Sequence, residues 1–457
     1  MTKDRQIQID LPRDVREILA ALRSAGYEAF AVGGCVRDSL LGRIPDDWDI
    51  TTSASPQEVK QVFRRTVDTG LQHGTVTVLQ SGTGYEVTTY RVDGNYSDGR
   101  HPDSVTFTRS LAEDLCRRDF TINAMAYAPQ EGLVDLFGGR QDLADGVIRA
   151  VGEPERRFSE DALRMMRAVR FSAQLGFSIA PETFAAIREL APTLARVSAE
   201  RIRVELVKTL LSAHPERIRE MYEAGLTAVF LPELDACMRV PQNHPHHVYT
   251  VGEHILRSVC AVRADTVLRL TMLLHDIGKA QTRTTDENGT DHFYGHAERS
   301  AEMAQEILRR LRFDNETREK TVRLVQAHDR MIAQTPAAVR KAAAKIGPDL
   351  FPLLLEVKEA DLAAQSDHCR EEKAEVIRTV RGLYEQILAD ADCLTLKDLA
   401  VNGSDLIRDG ARPGPGLGKI LGALLEEVQE EPSRNTRAYL LARARELRGM
   451  SRDPGNA

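Results

Sequence analysis

Two aspartates two residues apart, Asp47 and Asp49 in PDDWDI, follow a double glycine, Gly33–Gly34, and an arginine, Arg37. Magnesium takes hard oxygen ligands, commonly one or two carboxylates with phosphates and water completing the sphere, so paired aspartates suit a magnesium and phosphate site. On a strand, residues two apart project to one side, which would send Trp48 to the other. Two metal ions held there activate an attacking hydroxyl and steady a leaving pyrophosphate. Glycines let backbone amides approach a triphosphate closely, and Arg37 offers a planar fork to phosphate oxygens. A DxD or a GG alone is common by chance; in this order, within one short stretch, they carry more weight.

Those residues need elements to position them. Phe30–Ile50 reads as an apolar strand (Phe30, Ala31, Val32), the glycine turn, a short helix over Arg37–Leu41, a Gly/Pro turn and a second strand carrying the aspartates. Upstream, Val15, Ile18, Leu19 and Leu22 recur at helical spacing over Pro12–Ala25, with Gly26 as the stop. Ser55 is placed to cap a helix over Pro56–Phe63. His73–Gln80 and Tyr85–Arg91, joined through Ser81–Gly84, predict a hairpin whose Glu86, Thr88 and Tyr90 share a face. Glu86 is therefore either a third carboxylate for the site or a solvated or salt-bridged strand residue. Asp93–Ser110, rich in Gly, Asp, Ser and Pro, reads as a mobile loop, and loops this long are usually functional or disordered. Leu111–Tyr127 reads as a helix that contains Arg117, Arg118 and Asp119. In SEDALRMMRAVRF, Asp161, Arg164 and Arg167 recur at three-residue intervals on a predicted helix, with Arg170 drifting round; an i,i+3 ion pair between Asp161 and Arg164 is the plain reading.

GGCVRD followed by PDDWDIT resembles the signature of the DNA polymerase β-like nucleotidyltransferases, and within them the bacterial CCA-adding enzymes (tRNA nucleotidyltransferases, class II) and their poly(A) polymerase relatives. RRDFTINAMA and the EDxxR motif at Glu160, Asp161 and Arg164 extend the likeness, which runs through nearly the whole chain. It implies an α/β head with a polymerase β-like mixed sheet, residues 1–150, and a helical neck with the base-recognition helix, 151–235. An HD-type helical body, 236–370, and a helical tail expected to contact tRNA, 371–457, complete the division. By the same resemblance Asp47 and Asp49 are catalytic and hold Mg2+, while Gly33, Gly34, Arg37 and Arg118 bind the nucleotide. Asp119 either orients Arg118 or assists the metal, and Arg167 and Arg170 place the triphosphate or the helix. The loop at Asp93–Ser110 resembles the flexible loop of enzymes that add A as well as C.

The EDxxR motif has a physical logic. Aspartate only accepts and arginine only donates. Cytosine and adenine offer an amino donor beside a ring acceptor, and guanine and uracil present the opposite pattern, so one Asp161–Arg164 pair selects C and A without a nucleic-acid template. Each unmet buried donor or acceptor costs roughly 1–3 kcal/mol.

A second constellation comprises His254, His275 and Asp276 in LLHDIGK, His296, His328 and Asp361. It resembles an HD phosphohydrolase domain, in which His and Asp from several helices hold one or two divalent metals; a transition metal and a phosphoester substrate are the implied partners. The likeness does not by itself prove a working site.

The remaining features bound these readings. A length of 457 residues exceeds one core. The net charge of −7 argues against indiscriminate nucleic-acid binding, although Arg149–Arg219 carries thirteen Arg/Lys against nine Asp/Glu. Six scattered cysteines without a CxxC fit reduced thiols, and with no signal-like or spanning apolar run the expectation is a cytoplasmic protein away from membranes. The C-terminal residues MSRDPGNA read as frayed. The expected activity is addition of C, C and A to tRNA from CTP and ATP; the alternatives are an A-adding enzyme or poly(A) polymerase, and an HD-type phosphohydrolase.

Overall fold

A computed structural model describes residues 3–4, 7–94, 105–243 and 248–450. The chain divides into two compact units, Met1–Asp235 and Ala236–Ala457. Most of the loop expected over Asp93–Ser110 and the C-terminal tip from residue 451 lie outside the described residues.

The first unit is built on an eight-stranded mixed sheet. Its strands are β1 (Lys3–Asp4), β2 (Ala29–Val32), β3 (Ile50–Thr52), β4 (Thr66–Gly70), β5 (Thr75–Gln80), β6 (Thr83–Thr89), β9 (Met125–Ala128) and β10 (Gly132–Asp135), in spatial order β1-β10-β9-β2-β3-β6-β5-β4. A separate antiparallel pair, β7 (Arg91–Asp93) and β8 (Val105–Phe107), forms the stem at the ends of the loop. β3 and β6 run parallel, and the other neighbours are antiparallel. The central strands β2 and β9 are buried at every residue, which is why they read as unbroken apolar runs rather than alternating ones. Helix α1 (Arg13–Ser24) buries the stripe Val15, Ile18, Leu19 and Leu22. Helix α2 (Gly34–Leu40) follows β2, and α3 (Pro56–Val62) opens with a complete capping box between Ser55 and Glu58. The β5–β6 hairpin closes tighter than expected: Gln80 pairs with Thr83, leaving Ser81 and Gly82, both at positive φ, as a two-residue turn.

Three expectations need correction. Asp47 and Asp49 precede β3 rather than lie in it, although the Asp49 carbonyl accepts from the Val32 amide at 3.0 Å and so extends the pairing by one residue. Helix α4 stops at Cys116 (Leu111–Cys116); Arg117 caps it, and Arg118 and Asp119 lie in the turn that leads through Thr121–Asn123 to β9. The expected helix over Ser159–Phe171 is broken. After α5 (Gly139–Asp145), α6 (Pro154–Glu160) ends at Asp161, whose φ and ψ of −142° and 105° are extended, and α7 (Leu163–Leu175) starts afresh. Helices α8 (Pro181–Leu190) and α9 (Ala199–Leu210) follow, as their apolar periodicity implies.

Among its described residues the second unit is helical apart from one short hairpin. One core gathers Leu324, Val339, Phe351, Leu354, Val380 and Tyr384, and another, nearer the C-terminus, gathers Leu406, Leu424, Val428, Leu440 and Ala444. Among the described residues no helix is long and apolar enough to cross a membrane.

Candidate active site

Topology brings the sequence motifs to one end of the sheet. β2 runs into Gly33, and its antiparallel neighbour β3 begins just after Asp49, with Ala31 opposite Ile50. β6 lies parallel to β3 with Val87 opposite Ile50, so Glu86 sits beside the entry of Asp49. β9 is antiparallel to β2, and the turn that precedes it carries Arg118 to the same end.

Gly33 is favoured here by conformation, and its missing Cβ leaves room for a neighbouring side chain. Its φ is +82°, and a Cβ would come within 2.8 Å of the Arg118 Nη1. Its amide donates to the Met125 carbonyl at 3.2 Å, so it is not an open phosphate donor as the glycine pattern implies. The first amides of α2, beginning at Gly34, have no partner within their helix. Arg37 is committed to its surroundings: Nε and Nη2 each donate to Asp38 at 2.9 Å, and Nη1 donates to the Asn123 Oδ1 at 2.7 Å.

Arg118 is held more loosely. The nearest carboxylate oxygen paired with it belongs to the fully buried Asp114, 3.8 Å from Nη2, and its buried Nε has no hydrogen-bond partner. Asp114 itself is fixed by Arg117 Nε (2.9 Å) and Thr51 Oγ1 (3.0 Å), which ties α4 to β3. A guanidinium with unmet donors beside carboxylates suits a phosphate oxygen.

The carboxylates repel one another. Asp49 is reachable by solvent yet crowded by protein, and the loss of hydration raises its pKa; Arg118 opposes the rise and Asp47 adds to it. Glu86 is also raised, by loss of hydration and then by Asp49 and Asp47, and among the described residues no salt bridge quenches it. Glu86 is exposed and lies beside Asp49 in register, so both readings of it stand. Excess negative charge gathered on oxygen ligands fits a divalent cation, which relieves the repulsion.

Asp119 does not hold Arg118. It accepts from Arg167 Nε at 2.8 Å and from Nη2, from the Phe120 amide at 2.9 Å and from Asn123 Nδ2 at 3.1 Å. Burial alone would raise its pKa, but the Arg167 charge and these bonds hold the carboxyl well below the usual range. Asn123 thereby links Arg37 to Asp119, and Arg167 carries the chain of contacts to α7. Arg170 is buried, pairs with the buried Glu205 and lies 3.9 Å from the centre of the Phe171 ring, so of the two expected roles it serves the helix.

Asp161 and Arg164 do not pair with each other. Arg164 donates to Glu160 (2.7 Å) and to the carbonyls of Arg157 (3.1 Å) and Arg117 (3.0 Å). Asp161 accepts from Arg201 at 2.7 and 3.3 Å, and its Oδ1 also takes the Leu163 amide at 3.0 Å. Sequence reasoning missed Arg201, Glu205 and Asn123. Arg201 and Glu205 stand one turn apart on α9 beside its buried stripe, but that spacing in isolation reads as an intrahelical pair.

In the second unit the six expected residues do converge. His275, His296 and His328 direct Nδ1 at the carbonyls of Met272 (2.7 Å), Phe293 (2.8 Å) and Val325 (2.6 Å), and His254 at that of Ala364 (3.3 Å). A carbonyl partner makes each Nδ1 the donor and leaves a lone pair on Nε2 of the neutral ring. Yet the Nε2 atoms face one another, 3.2 Å apart in His254–His275 and 3.3 Å in His296–His328. Asp276 lies between the pairs, 3.4–3.5 Å from all four Nε2 atoms; Lys279 Nζ is at 2.7 Å, but neither Asp276 oxygen receives a well-directed hydrogen bond. Asp361 closes the ring, 2.9 Å from His254 Nε2. Opposed lone pairs around an under-bonded buried carboxylate fit a bound cation.

A mixed sheet with an Asp-x-Asp, a glycine turn and a facing arginine at one end defines a nucleotidyltransferase head, here followed by helices. Residues 29–149 match the family model of the poly A polymerase head domain, 176–238 that of a probable RNA and SrmB-binding site of polymerase A, and 284–444 that of a tRNA nucleotidyltransferase domain 2. The CCA-adding enzyme of Levilactobacillus brevis is 39% identical over 430 residues, 93% of this chain and 96% of that protein. That of Leuconostoc mesenteroides is 55% identical over 219 residues, 48% of this chain and 55% of that protein. The Bacillus stearothermophilus CCA-adding enzyme in complex with CTP superposes with a TM-score of 0.70 at 32% identity, covering 96% of this chain and 98% of that one. The chain belongs to the CCA-adding enzyme family.

Proposed function

We propose that the chain adds C, C and A to the 3′ end of tRNA from CTP and ATP without a nucleic-acid template, releasing pyrophosphate at each step. The observation that carries this reading is the under-bonded guanidinium of Arg118 beside Asp49, at the sheet end where Gly33 leaves room for it. Asp47 and Asp49, with Glu86 beside them, are the residues to hold Mg2+. When bound, the metal acidifies the attacking hydroxyl and neutralises phosphate charge. Arg118 and the first amides of α2 bind the triphosphate, Arg37 fixes the turn below them, and Asp161 and Arg164 read the amino group and ring acceptor of the base. Arg167 and Arg170 hold the reading helix in place.

We read the first unit as head (1–150) and neck (151–235), and the second as an HD-type body (236–370) and a tail (371–457) that contacts tRNA, in a cytoplasmic enzyme. A groove of about 670 Å³ lined by Arg412 and Lys419, and by Arg445 and Arg448, which both pair with Asp409, supports the tail's role, since its arginines and lysine outnumber that carboxylate. A second reading attaches to the histidine cluster: His254, His275, Asp276, His296, His328 and Asp361 hold a divalent transition metal and serve phosphoester hydrolysis, supported by the opposed Nε2 atoms.

The test uses purified protein with magnesium and three tRNA transcripts, ending before CCA, after C and after CC, each with CTP, ATP or both. Growth of all three to a single CCA end is expected. Extension of the CC-ended transcript alone would make it an A-adding enzyme, and long A tails a poly(A) polymerase.

A further inference from the structure

The cavity of about 420 Å³ that opens onto Asp276, His296 and His328 is also lined by His292, Tyr294 and Lys373. Tyr294 is 77% exposed, and a single exposed ring is ordinary on a protein surface. This ring, however, is held in place. It lies flat on His292, with ring centres 5.3 Å apart and planes within 7° of parallel, an offset stack. His292 is fixed in turn: its Nε2 donates to the Asp286 carboxylate at 3.0 Å, which leaves Nδ1 to accept the Tyr294 hydroxyl at 3.4 Å. Asp286 closes the turn of the short hairpin between Thr284–Thr285 and Asp291–His292 by accepting from the amides of Asn288 and Thr290, each at 2.9 Å. At the hairpin's base the buried Asp291 accepts from Thr285 Oγ1 at 2.7 Å, Arg283 Nε at 3.0 Å and the Asn243 amide at 2.9 Å. A rigid hairpin thus presents a stacked aromatic pair to the cavity that holds the histidine cluster.

We propose that the Tyr294–His292 stack is a platform for the base of a nucleoside phosphate, and that it makes the site at the histidine cluster selective for phosphoesters that carry a base. The inference rests on the reading of that cluster as a metal site for phosphoesters. The parts of such a ligand find separate partners in one cavity. The cluster faces the phosphate. Lys373 supplies a cation beside it: its Nζ donates to Gln365 Oε1 at 2.9 Å, and Gln365 Nε2 donates to Asp361 Oδ2 at 2.9 Å, so the ammonium is tethered next to a member of the cluster. The base meets the open face of Tyr294. Every base has a π-face, so such a platform tolerates any of the four. A ring already held flat loses little freedom when a base settles on it, and the stacking energy is then expressed almost whole. A sugar phosphate without a base has nothing to stack. Free nucleotides and the terminal residue of an RNA chain share this chemistry.

Calorimetry on the full chain loaded with Mn2+ decides this, comparing adenosine 5′-monophosphate with ribose 5-phosphate, which differ only in the base. D276A, or H275A should D276A not fold, gives the baseline for nucleotide held by the first unit. Above that baseline the unaltered protein should bind the nucleotide about tenfold tighter than the sugar phosphate. Y294A should weaken the nucleotide about tenfold, the scale of one stacked base. It should leave the affinities for ribose 5-phosphate and Mn2+, the thermal midpoint and the rate of CCA addition within twofold or unchanged. Y294F, which keeps the ring, should bind the nucleotide within about twofold of the unaltered protein. Equal affinity for the two ligands in the unaltered protein, or a Y294A variant whose nucleotide affinity stays within twofold, overturns the platform. If neither ligand distinguishes the unaltered protein from the baseline variant, the reading of the cluster as a phosphoester site falls, and the platform with it. A short RNA ending in a phosphate, titrated beside the free nucleotide, separates the two sources: the ligand that loses more affinity in Y294A is the one the platform serves.

Discussion

The Arg118 guanidinium lies against Gly33, its Nη1 only 2.8 Å from where a Cβ on that residue would stand. The turn after β2 and the turn before β9 are thus fitted to each other, and the arginine facing the carboxylates depends on a glycine far from it in sequence. Gly33→Ala should therefore act on Arg118 as well as on the backbone. At φ +82° an alanine costs about 1–2 kcal/mol, and the displaced guanidinium should raise the KM for CTP and ATP about tenfold or more. Steady-state kinetics alongside thermal unfolding separates the two effects.

Asp47→Ala and Asp49→Ala should each lower incorporation by on the order of 10³-fold or more, the several kcal/mol attributed to metal-assisted charge stabilisation. Circular dichroism should remain that of the unaltered protein, because both residues are exposed and precede β3 instead of packing in it. Retained turnover would remove them from the catalytic role.

Glu86→Gln should shift the acid limb of the rate profile. Asp49 and Glu86 are both raised by loss of hydration first; Arg118 opposes the rise at Asp49, Asp47 adds to both, and Asp49 adds to that of Glu86. In the unaltered enzyme, activity should be lost on acidification at a pH above the ordinary aspartate range. Removing the Glu86 charge should move that limb to lower pH while raising the magnesium needed for half-maximal rate. A profile that does not move would place Glu86 outside the site.

Asp119→Asn should destabilise the first unit by roughly 2 kcal/mol, a broken buried pair discounted for the partial exposure of Arg167. The carboxyl of Asp119 is depressed in the folded state, so its contribution is fully present above the unfolded aspartate value and is lost as pH falls from there through the lower folded value. Urea unfolding between about pH 5 and pH 2 should show this loss in the unaltered protein and a flatter dependence in the variant.

His275→Ala and Asp276→Ala should abolish high-affinity binding of a divalent transition metal in the second unit, measured by calorimetry with Mn2+ or Ni2+. CCA addition in magnesium should change less than about twofold, because this cluster and the Asp-x-Asp belong to different units. Undiminished binding in both variants would place the metal elsewhere.

The local chemistry was legible in the sequence because it depends on near neighbours. Ser55 caps the helix before Glu58, four apolar residues of α1 bury one stripe, and the strand–glycine–helix order of Phe30–Leu41 is fixed by φ at Gly33 and by apolar content. The six members of the histidine cluster were also recoverable, since each lies on or beside a helix with a recognisable motif. Helical spacing misled at Asp161. A period of three describes neighbours only while the helix is unbroken, and the chain is extended at that residue.

The sequence by itself singled out the residues proposed to carry the chemistry: paired carboxylates, a glycine turn, an acceptor and a donor for the base, and a set of imidazoles. Only the tertiary structure decided who holds whom. Asp119 serves Arg167 and not the adjacent Arg118, Asp161 is gripped from α9 forty residues away, and Glu86 lies beside Asp49 because β3 and β6 run parallel. The reason is physical. A charge is satisfied by whatever opposite charge the packed chain brings within about 3 Å, and that distance is set by strand order and helix packing, which no local spacing records.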